Sequence, residues 1–445
     1  MPAQTADEPH EGGAKHGYGP PAELATRTAR DSAYSLVAEV SKMLSSIITF
    51  VLVARAMGVL EYGVYVGLYT VITVISPFAT MGSPVHLIDR IRRQGEKPDR
   101  AIGAATGMVL VGAGAALLAV AAAVSAVFST KYLLAAVVLS VAEYLAFGVS
   151  QLCTSLALAM HRQRLYSAEI CLGSVLRVSA AVLYSTVYGG GLVRWAACLG
   201  AGLALQAVAL SVVTREVLGV AISVGRFTAG DAKQSIPYAA SIAAFTVQDG
   251  VDKPILVRAG YGVEAGLYSA AYRIPTMVIL PIQAMMVATF ARSFSSGQNG
   301  LRGSLSVARQ IGKVTVAYGV AAGVLLAALA PLLGPVFGPD FDGSIRMVRW
   351  LAPLPLLRTV QYLAANALTG SGHQSTRFKV LLGALVLNVA LCLALIPRWS
   401  WRGASVATLV TEASYAIGLW LTVRRLVRIE RAGDVLSASD LCEQG

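Results

Sequence analysis

Long apolar stretches recur along this chain, separated by short segments that hold glycine, proline and charged residues. Each stretch has about 20 residues or more, which is the length that an α-helix needs to cross a hydrocarbon core of about 30 Å. The pattern predicts twelve membrane-spanning helices in an all-α fold. Their predicted ranges are 33–55, 62–83, 102–127, 132–158, 165–187, 191–214, 234–257, 264–289, 311–336, 345–368, 377–396 and 403–423.

Composition supports a membrane protein and excludes an ordinary soluble one. Of the 445 residues, 56% are hydrophobic and only 13% are charged, whereas soluble domains have roughly 25% charged residues. A surface with so few charges needs lipid to cover it. The five cysteines are sparse and follow no spacing that predicts disulfides or a metal site.

The apolar stretches predict two bundles of six helices. Residues 1–31 are polar and lack the apolar core of a signal peptide, so they predict a disordered cytoplasmic tail. The predicted first bundle is 32–217 and the second is 233–425, joined by a cytoplasmic connection, 218–232. Residues 426–445 are predicted to form a second cytoplasmic tail.

Lysine and arginine are distributed unequally between the two sets of predicted connections. The tails and one set hold twenty-three of them and the opposite set holds five. Cytoplasmic connections retain basic residues, so both termini are predicted to be cytoplasmic. This sidedness accounts for most of the net charge of +12, and we expect no binding of nucleic acid.

A motif occurs twice, 203 residues apart, at equivalent places in the two predicted bundles. The pattern R-A-x4-E-x-G-x-Y-x3-Y runs from Arg55 to Tyr69 and again from Arg258 to Tyr272. Six spans per half make the repeat parallel, so a pseudo-two-fold axis along the membrane normal is predicted, with a cavity between the halves. We expect the repeated glycines and tyrosines to serve as scaffold.

The two copies also carry a family resemblance. The stretch 53–72 resembles the family pattern R-x-L-G-x-x-x-Y-G-x-Y, with Met57 in place of the usual leucine, and the stretch 248–281 contains the acidic-basic pair Asp252 and Lys253 followed by G-x-Y-x-x-A-Y-R, ending at Arg273. These segments are similar to those of bacterial polysaccharide-biosynthesis membrane proteins. That family comprises lipid-linked oligosaccharide flippases of the multidrug/oligosaccharidyl-lipid/polysaccharide (MOP) exporter superfamily.

The resemblance implies a transporter of the bacterial inner (cytoplasmic) membrane. Its implied activity is translocation of an undecaprenyl-pyrophosphate-linked oligosaccharide from the cytoplasmic to the outer leaflet by alternating access, for O-antigen, capsule or exopolysaccharide assembly. Its implied partners are this substrate, membrane lipids, a polysaccharide polymerase and glycosyltransferases. Two alternatives stay open: a multidrug/cation antiporter of the same superfamily, which predicts an acidic cavity, and a non-transporting scaffold for a glycan polymerase.

Ionisable residues fall well inside the predicted spans, where each is costly unless it faces a partner or water. Their number predicts a hydrated central cavity. The cations predicted to bind substrate are Arg177, Arg273, Arg358, Lys42 and Lys253. The carboxylates predicted as candidates for ion coupling are Glu39, Glu143, Asp249, Asp252 and Glu412.

Spacing separates these residues into paired and unpaired groups. Glu39 with Lys42 and Asp249 with Lys253 lie three and four residues apart, so each pair can neutralise itself on one helix face. None of the three arginines named above has an opposite charge within four residues on its own helix. These arginines are therefore the best candidates for substrate contact. A diphosphate that crosses a membrane must shed water, and arginine can compensate with bidentate hydrogen bonds without losing its charge.

No catalytic signature is present. The five histidines form no metal-ligand spacing, no serine or cysteine lies in a nucleophile motif, and no P-loop occurs. We therefore expect no enzymatic activity, no cofactor and no resident metal.

Overall fold

The computed structural model describes residues 21–443 apart from 284, 287–288, 290–299 and 334–340. Residues 1–20 of the predicted N-terminal tail, and the ends of the spans predicted at 264–289 and 311–336, therefore fall partly or wholly outside the described residues. Within the described residues all regular structure is helical, and no strand occurs. The protein is an all-α, multi-pass membrane protein.

The first half of the chain contains eight helices, two of which are continued by a π-helical turn. They are α1 (Pro21–Met57), α2 (Val59–Ala79), α3 (Ser83–Arg92), α4 (Pro98–Val127), α5 (Leu133–Val141), a π turn (Ala142–Phe147), α6 (Gly148–Ala159), α7 (Gln163–Leu183), a second π turn (Tyr184–Tyr188) and α8 (Leu192–Leu218).

The described part of the second half includes eight more helices with defined bounds. They are α9 (Ala229–Gly250), α10 (Asp252–Arg258), α11 (Gly262–Val278), α12 (Gly300–Leu329), α13 (Ser344–Leu351), α14 (Leu354–Gly370), α15 (Gln374–Trp399) and α16 (Trp401–Glu443).

Nine helical stretches in the described residues are long and apolar enough to cross a membrane. The segments that do not meet this standard are α9 with α10, α11, and α13 with α14, which correspond to the spans predicted at 234–257, 264–289 and 345–368. Prolines and turns break these segments, and they hold five of the ten ionisable residues predicted as site residues.

Helix boundaries differ from the predicted ones at both ends of the chain. The first helix begins at Pro21, inside the predicted tail 1–31, and the last helix continues to Glu443, beyond the predicted boundary at 425. The extension at the N-terminal end has a local cause, because proline is favoured at the first helical position and the alanines that follow have high helix propensity.

The two copies of the repeat pack against each other, α2 against α11. A Cβ atom at Gly63 would overlap the carbonyl oxygen of Gly262, and one at Gly266 would overlap the carbonyl oxygen of Val59. The missing side chains let the two backbones approach closely. The repeated glycines therefore have the predicted scaffold role, and they join the two halves.

A second contact joins the halves at the opposite end of α2. The chain turns at Gly82, in the left-handed conformation, and enters α3. From α3, Arg90 forms an ion pair with Asp231 of α9 at 3.3 Å, and His86 approaches the same carboxylate at 3.8 Å. Asp231 also completes a capping box with Thr228, so one carboxylate both caps α9 and bridges the halves.

Candidate functional site

A cavity of about 590 Å³ lies between the two halves. Helices from both halves form its wall, including α1, α2, α7 and α8 on one side and α9, α14 and α16 on the other. Two carboxylates line it, those of Asp249 and Glu412. The cations that line it are Arg177, Lys253, Arg273, Arg358 and Arg377. Basic groups therefore outnumber acidic ones in this wall.

Arg358 connects four helices of the second half. Its Nη2 donates to Asp249 Oδ1 at 2.6 Å and to the Tyr272 hydroxyl at 2.6 Å, and it also donates to Glu412 Oε1 at 3.1 Å. The Tyr272 hydroxyl in turn donates to Asp249 Oδ1. The prediction that Arg358 is unpaired is wrong, because its partners lie on other helices, and spacing along one helix does not detect them.

Lys253 has partners other than the predicted one. Its Nζ lies 3.2 Å from Asp252 Oδ1 and donates to the backbone carbonyl of Asp249 at 2.8 Å. The Asp249 carboxylate is held by Arg358 instead. The predicted self-neutralising pair of Asp249 and Lys253 is therefore wrong. Asp252 is buried behind the cavity and neutralises the lysine that faces it.

Arg177 and Arg273 face the cavity with no carboxylate within ion-pairing distance among the described residues. Arg273 lies over the ring of Phe50, with 4.9 Å to its centroid, and donates to the hydroxyl of Ser46 at 3.1 Å. Arg177 extends from α7 toward the ring of Phe147, at 5.9 Å. Of the three arginines predicted to be unpaired, these two line the cavity without an ion pair among the described residues, and Glu143 is near enough to attract Arg177 electrostatically.

Glu143 lies on the π turn that interrupts the fourth span, and such turns are frequent at functional sites. Its carboxylate accepts a hydrogen bond from Tyr69 at 3.0 Å. It lines a smaller cavity of about 220 Å³, together with hydroxyl side chains of α2 and the side chain of Gln151. Glu143 is thus next to the main cavity without lining it.

Glu39 and Lys42 lie outside both cavities. They form an ion pair at 3.5 Å, with side chains 59% and 65% exposed, respectively. This is the self-neutralising arrangement that their spacing predicts. The structure does not bring them together with the other predicted site residues.

An aromatic wall lines the cavity on the side of the first half. Tyr65 and Tyr69 stack with ring centroids 5.5 Å apart, and Trp195 meets Tyr65 edge-on at 6.0 Å. Tyr62 lines the cavity as well. The repeat tyrosines of this copy therefore line the cavity, a position that the sequence did not indicate.

Arg377 is a cavity residue that the sequence did not single out. It donates to the Thr369 hydroxyl at 3.0 Å and lies 5.9 Å from the ring of Phe245. Its position at the start of a predicted span suggested a cytoplasmic connection. Gln248 and Gln361 also line the cavity, and Gln361 donates to the Glu412 carboxylate at 2.5 Å. In the part of the chain that the structure describes, no cluster of histidine, cysteine and acidic residues is arranged to hold a metal.

Solved structures similar to this chain include transporters. An inward-facing multidrug resistance MATE family transporter of the MOP superfamily matches with a TM-score of 0.74 at 14% identity, covering 88% of this chain and 96% of that one. An outward-facing one matches with a TM-score of 0.61 at 16% identity, covering 90% and 96%. A MOP superfamily transporter from Pyrococcus furiosus Vc1 (DSM3638) matches with a TM-score of 0.64 at 15% identity, covering 90% and 96%.

These likenesses establish the fold: twelve transmembrane helices in two bundles of six. None of the curated proteins matches the chain. The model of a protein family described as "Polysaccharide biosynthesis protein" matches residues 28–293, which is more than half of the chain. The chain therefore belongs to the polysaccharide biosynthesis protein family, and its fold is the one seen in these solved transporters.

Proposed function

We propose that this protein is a flippase that moves an undecaprenyl-pyrophosphate-linked oligosaccharide from the cytoplasmic to the outer leaflet of the bacterial inner membrane. The observation that carries the proposal is the basic cavity between the halves, in which neither Arg177 nor Arg273 forms an ion pair with a carboxylate of the described residues. Fixed guanidinium groups suit a diphosphate, because they replace its hydration with bidentate, charge-assisted hydrogen bonds. The two arginines come from opposite halves, so a bound diphosphate would link the halves.

The aromatic wall supports the same substrate class. Tyr65, Tyr69 and Trp195 present ring faces and edges beside the cations. Such rings pack on the apolar faces of sugars while their polar atoms bind hydroxyl groups. In this proposal the diphosphate lies between Arg177 and Arg273, and the first sugars lie along the tyrosines. The prenyl tail stays in lipid.

Alternating access requires contacts between the halves that can form and break at each end. The glycine contact of α2 with α11 and the ion pair of Arg90 with Asp231 lie at opposite ends of α2. Each contact is small and joins the first half to the second. Opening one while the other stays closed would expose the cavity to one side of the membrane at a time, with both termini in the cytoplasm.

The test is translocation of a fluorescent prenyl-pyrophosphate glycan by the purified protein in liposomes. We expect R177A and R273A each to reduce the rate at least tenfold, because each removes a fixed charge from the diphosphate site. The matched control is R398A, which removes an exposed arginine of α15 that bonds only to its own helix among the described residues. Translocation at the parent rate by both cavity variants would overturn the site.

A second candidate is a multidrug/cation antiporter, because the similar solved structures include multidrug transporters and because Asp249 and Glu412 line the cavity. Both carboxylates, however, are bound to Arg358, and the basic residues of the lining outnumber them. A drug-resistance assay separates the candidates: efflux of cationic drugs without glycan translocation would replace the flippase by the antiporter. A scaffold for a polysaccharide polymerase or glycosyltransferase would translocate nothing in liposomes.

A further inference from the structure

Glu169, on α7, is the most anomalous acidic residue of the described chain. It is 2% exposed, and neither oxygen of its carboxyl group has a hydrogen-bond partner. The other buried carboxyl groups that the structure describes have partners: Glu143 is bound by Tyr69, Asp252 by Lys253, and Glu412 by Arg358. Glu169 lies outside the cavities described above and has no role in the proposed substrate site.

Among the described residues, the helices around Glu169 bring no cation to it. From α6, the buried thiol of Cys153 lies beside it. From α8 comes Thr214, whose hydroxyl is also buried and without a partner, while the neighbouring Arg215 and Glu216 are exposed. From α1, the charged residues at this level are Glu39 and Lys42, which are exposed and pair with each other.

An ionised carboxylate in such surroundings would be prohibitively costly. Burying an unpaired charge costs far more than burying a neutral polar group, and a carboxyl group avoids that cost by holding a proton. If α7 separated from α6 and α8, water would reach the group and it would ionise at neutral pH, as an exposed glutamate does. The two arrangements of these helices therefore differ by one bound proton.

We propose that Glu169 is a proton-binding site whose occupancy is linked to the packing of α7 against α6 and α8. The packed arrangement holds the proton and the separated arrangement releases it. A difference of one proton changes the equilibrium between the two arrangements tenfold per pH unit in the range where only the packed form is protonated. The proton is thus a ligand that closes the first half at low pH. This inference does not depend on the identity of the transported substrate.

Cys153 provides a native reporter of the separation. Its thiol is fully buried beside Glu169, so an uncharged alkylating reagent reaches it only in the separated arrangement. The parent for the experiment retains Cys153 alone, with C171S, C198S, C392S and C442S. Alkylation is measured in detergent between pH 6 and pH 8 at low reagent concentration, where the rate is the product of the opening equilibrium and the thiolate fraction.

The pH dependence of the alkylation rate separates the ionisation of the Cys153 thiol from the release of a proton by Glu169. An exposed thiol ionises tenfold more per pH unit below about pH 8, and the release of one proton by Glu169 adds a further factor of ten. We expect the parent rate to rise about 100-fold per pH unit. The alkylation rate of E169Q, which has no proton to release at this position, should rise only about tenfold per pH unit.

Two variants control the comparison. E169D retains a carboxyl group and should keep the steep dependence, and E216Q, which neutralises an exposed carboxylate on α8, should keep it as well. The proposal would be overturned if the alkylation rate of the parent rose only tenfold per pH unit. It would also be overturned if the rate of E169Q rose as steeply with pH as that of the parent. If E169Q does not fold, the slopes of the parent and E169D decide the question. Because the assay contains no glycan and measures no transport, it can fail while the flippase proposal stands.

Discussion

At the scale of single residues, Arg358 holds the charged centre of the second half together. Its removal would leave the buried carboxylate of Glu412 without its cation. Breaking a buried ion pair from one side costs about 3–5 kcal/mol. We expect R358A to lower the free energy of unfolding in detergent by that order, as measured by chemical denaturation.

The double variant R358M/E412Q identifies the cause of this loss. It removes both charges and keeps most of the side-chain volume, so we expect it to be more stable than R358A. R398A, at an exposed site, should unfold like the parent. If the double variant were no more stable than R358A, the loss would come from packing and not from an uncompensated charge.

The residues of the site were partly predictable from the sequence. A charge inside an apolar span is visible in the sequence, so Arg177, Arg273 and Asp249 could be identified as cavity residues. Their partners could not, because a sequence gives neighbours three or four positions away on one helix, whereas Asp249 binds an arginine 109 residues away. Arg377 was missed because its position near a helix start is ordinary for an interfacial arginine.

At the scale of helices, the crossing of α2 and α11 depends on the absence of two side chains. A methyl group at Gly63 would meet backbone atoms, which cannot move aside as a flexible side chain would. We expect G63A to push the crossing apart, to cost about 1–3 kcal/mol of stability and to lower glycan translocation. The separation is measurable as an increased distance between spin labels placed on α2 and α11.

The matched control is G114A, in the middle of α4. A Cβ atom there would have no neighbour within 4 Å, and alanine is the better helix former. We expect G114A to retain the parent distance, stability and activity. Equal behaviour of G63A and G114A would show that the crossing does not need its glycine.

Helix positions were more predictable than helix breaks. Apolar length alone located the spans from 102–127 to 191–214, which α4 to α8 occupy. The turn between α9 and α10 and the π turn at Ala142–Phe147 depend on contacts with other helices, and a hydropathy pattern contains no information on those contacts. The repeated motif falls at the α1–α2 junction in the first half and at the α10–α11 junction in the second.

At the scale of the whole molecule, the halves are joined at one end by Asp231. Burial raises the pKa of its carboxyl group, but hydrogen bonds from Thr228 and the positive charges of Arg90 and His86 outweigh this, so the pKa lies below its usual value of 3.8. A carboxyl group whose pKa is lowered by folding contributes stability above its unfolded pKa and loses it as pH falls through the native pKa. Its contribution is therefore complete at neutral pH and lost below about pH 3.8.

We accordingly expect D231N to be less stable than the parent at pH 7, by about 1 kcal/mol, the usual order for loss of a helix-capping interaction. The difference should shrink as the pH falls below 4, where the parent carboxylate itself becomes protonated. Thermal unfolding of D231N and the parent at a series of pH values measures the difference at pH 7 and its decrease below pH 4. E216Q, which alters an exposed carboxylate of α8, is the control; a D231N deficit that is independent of pH would exclude the charge as its source.

Prolines or turns break three charged segments of the second half, which are α9 with α10, α11, and α13 with α14. Their charges affect how the protein is inserted into the membrane. A segment that enters the bilayer alone must be apolar enough to leave the translocation machinery, and charged residues at its centre oppose this by about 2.5–3.5 kcal/mol each. Asp249 and Arg358 neutralise each other only after both of their helices have been synthesised, and Glu412 follows later still. We expect nascent chains that end before α16 to be held at the insertion site or degraded, so that biogenesis of the second half is a single cooperative event.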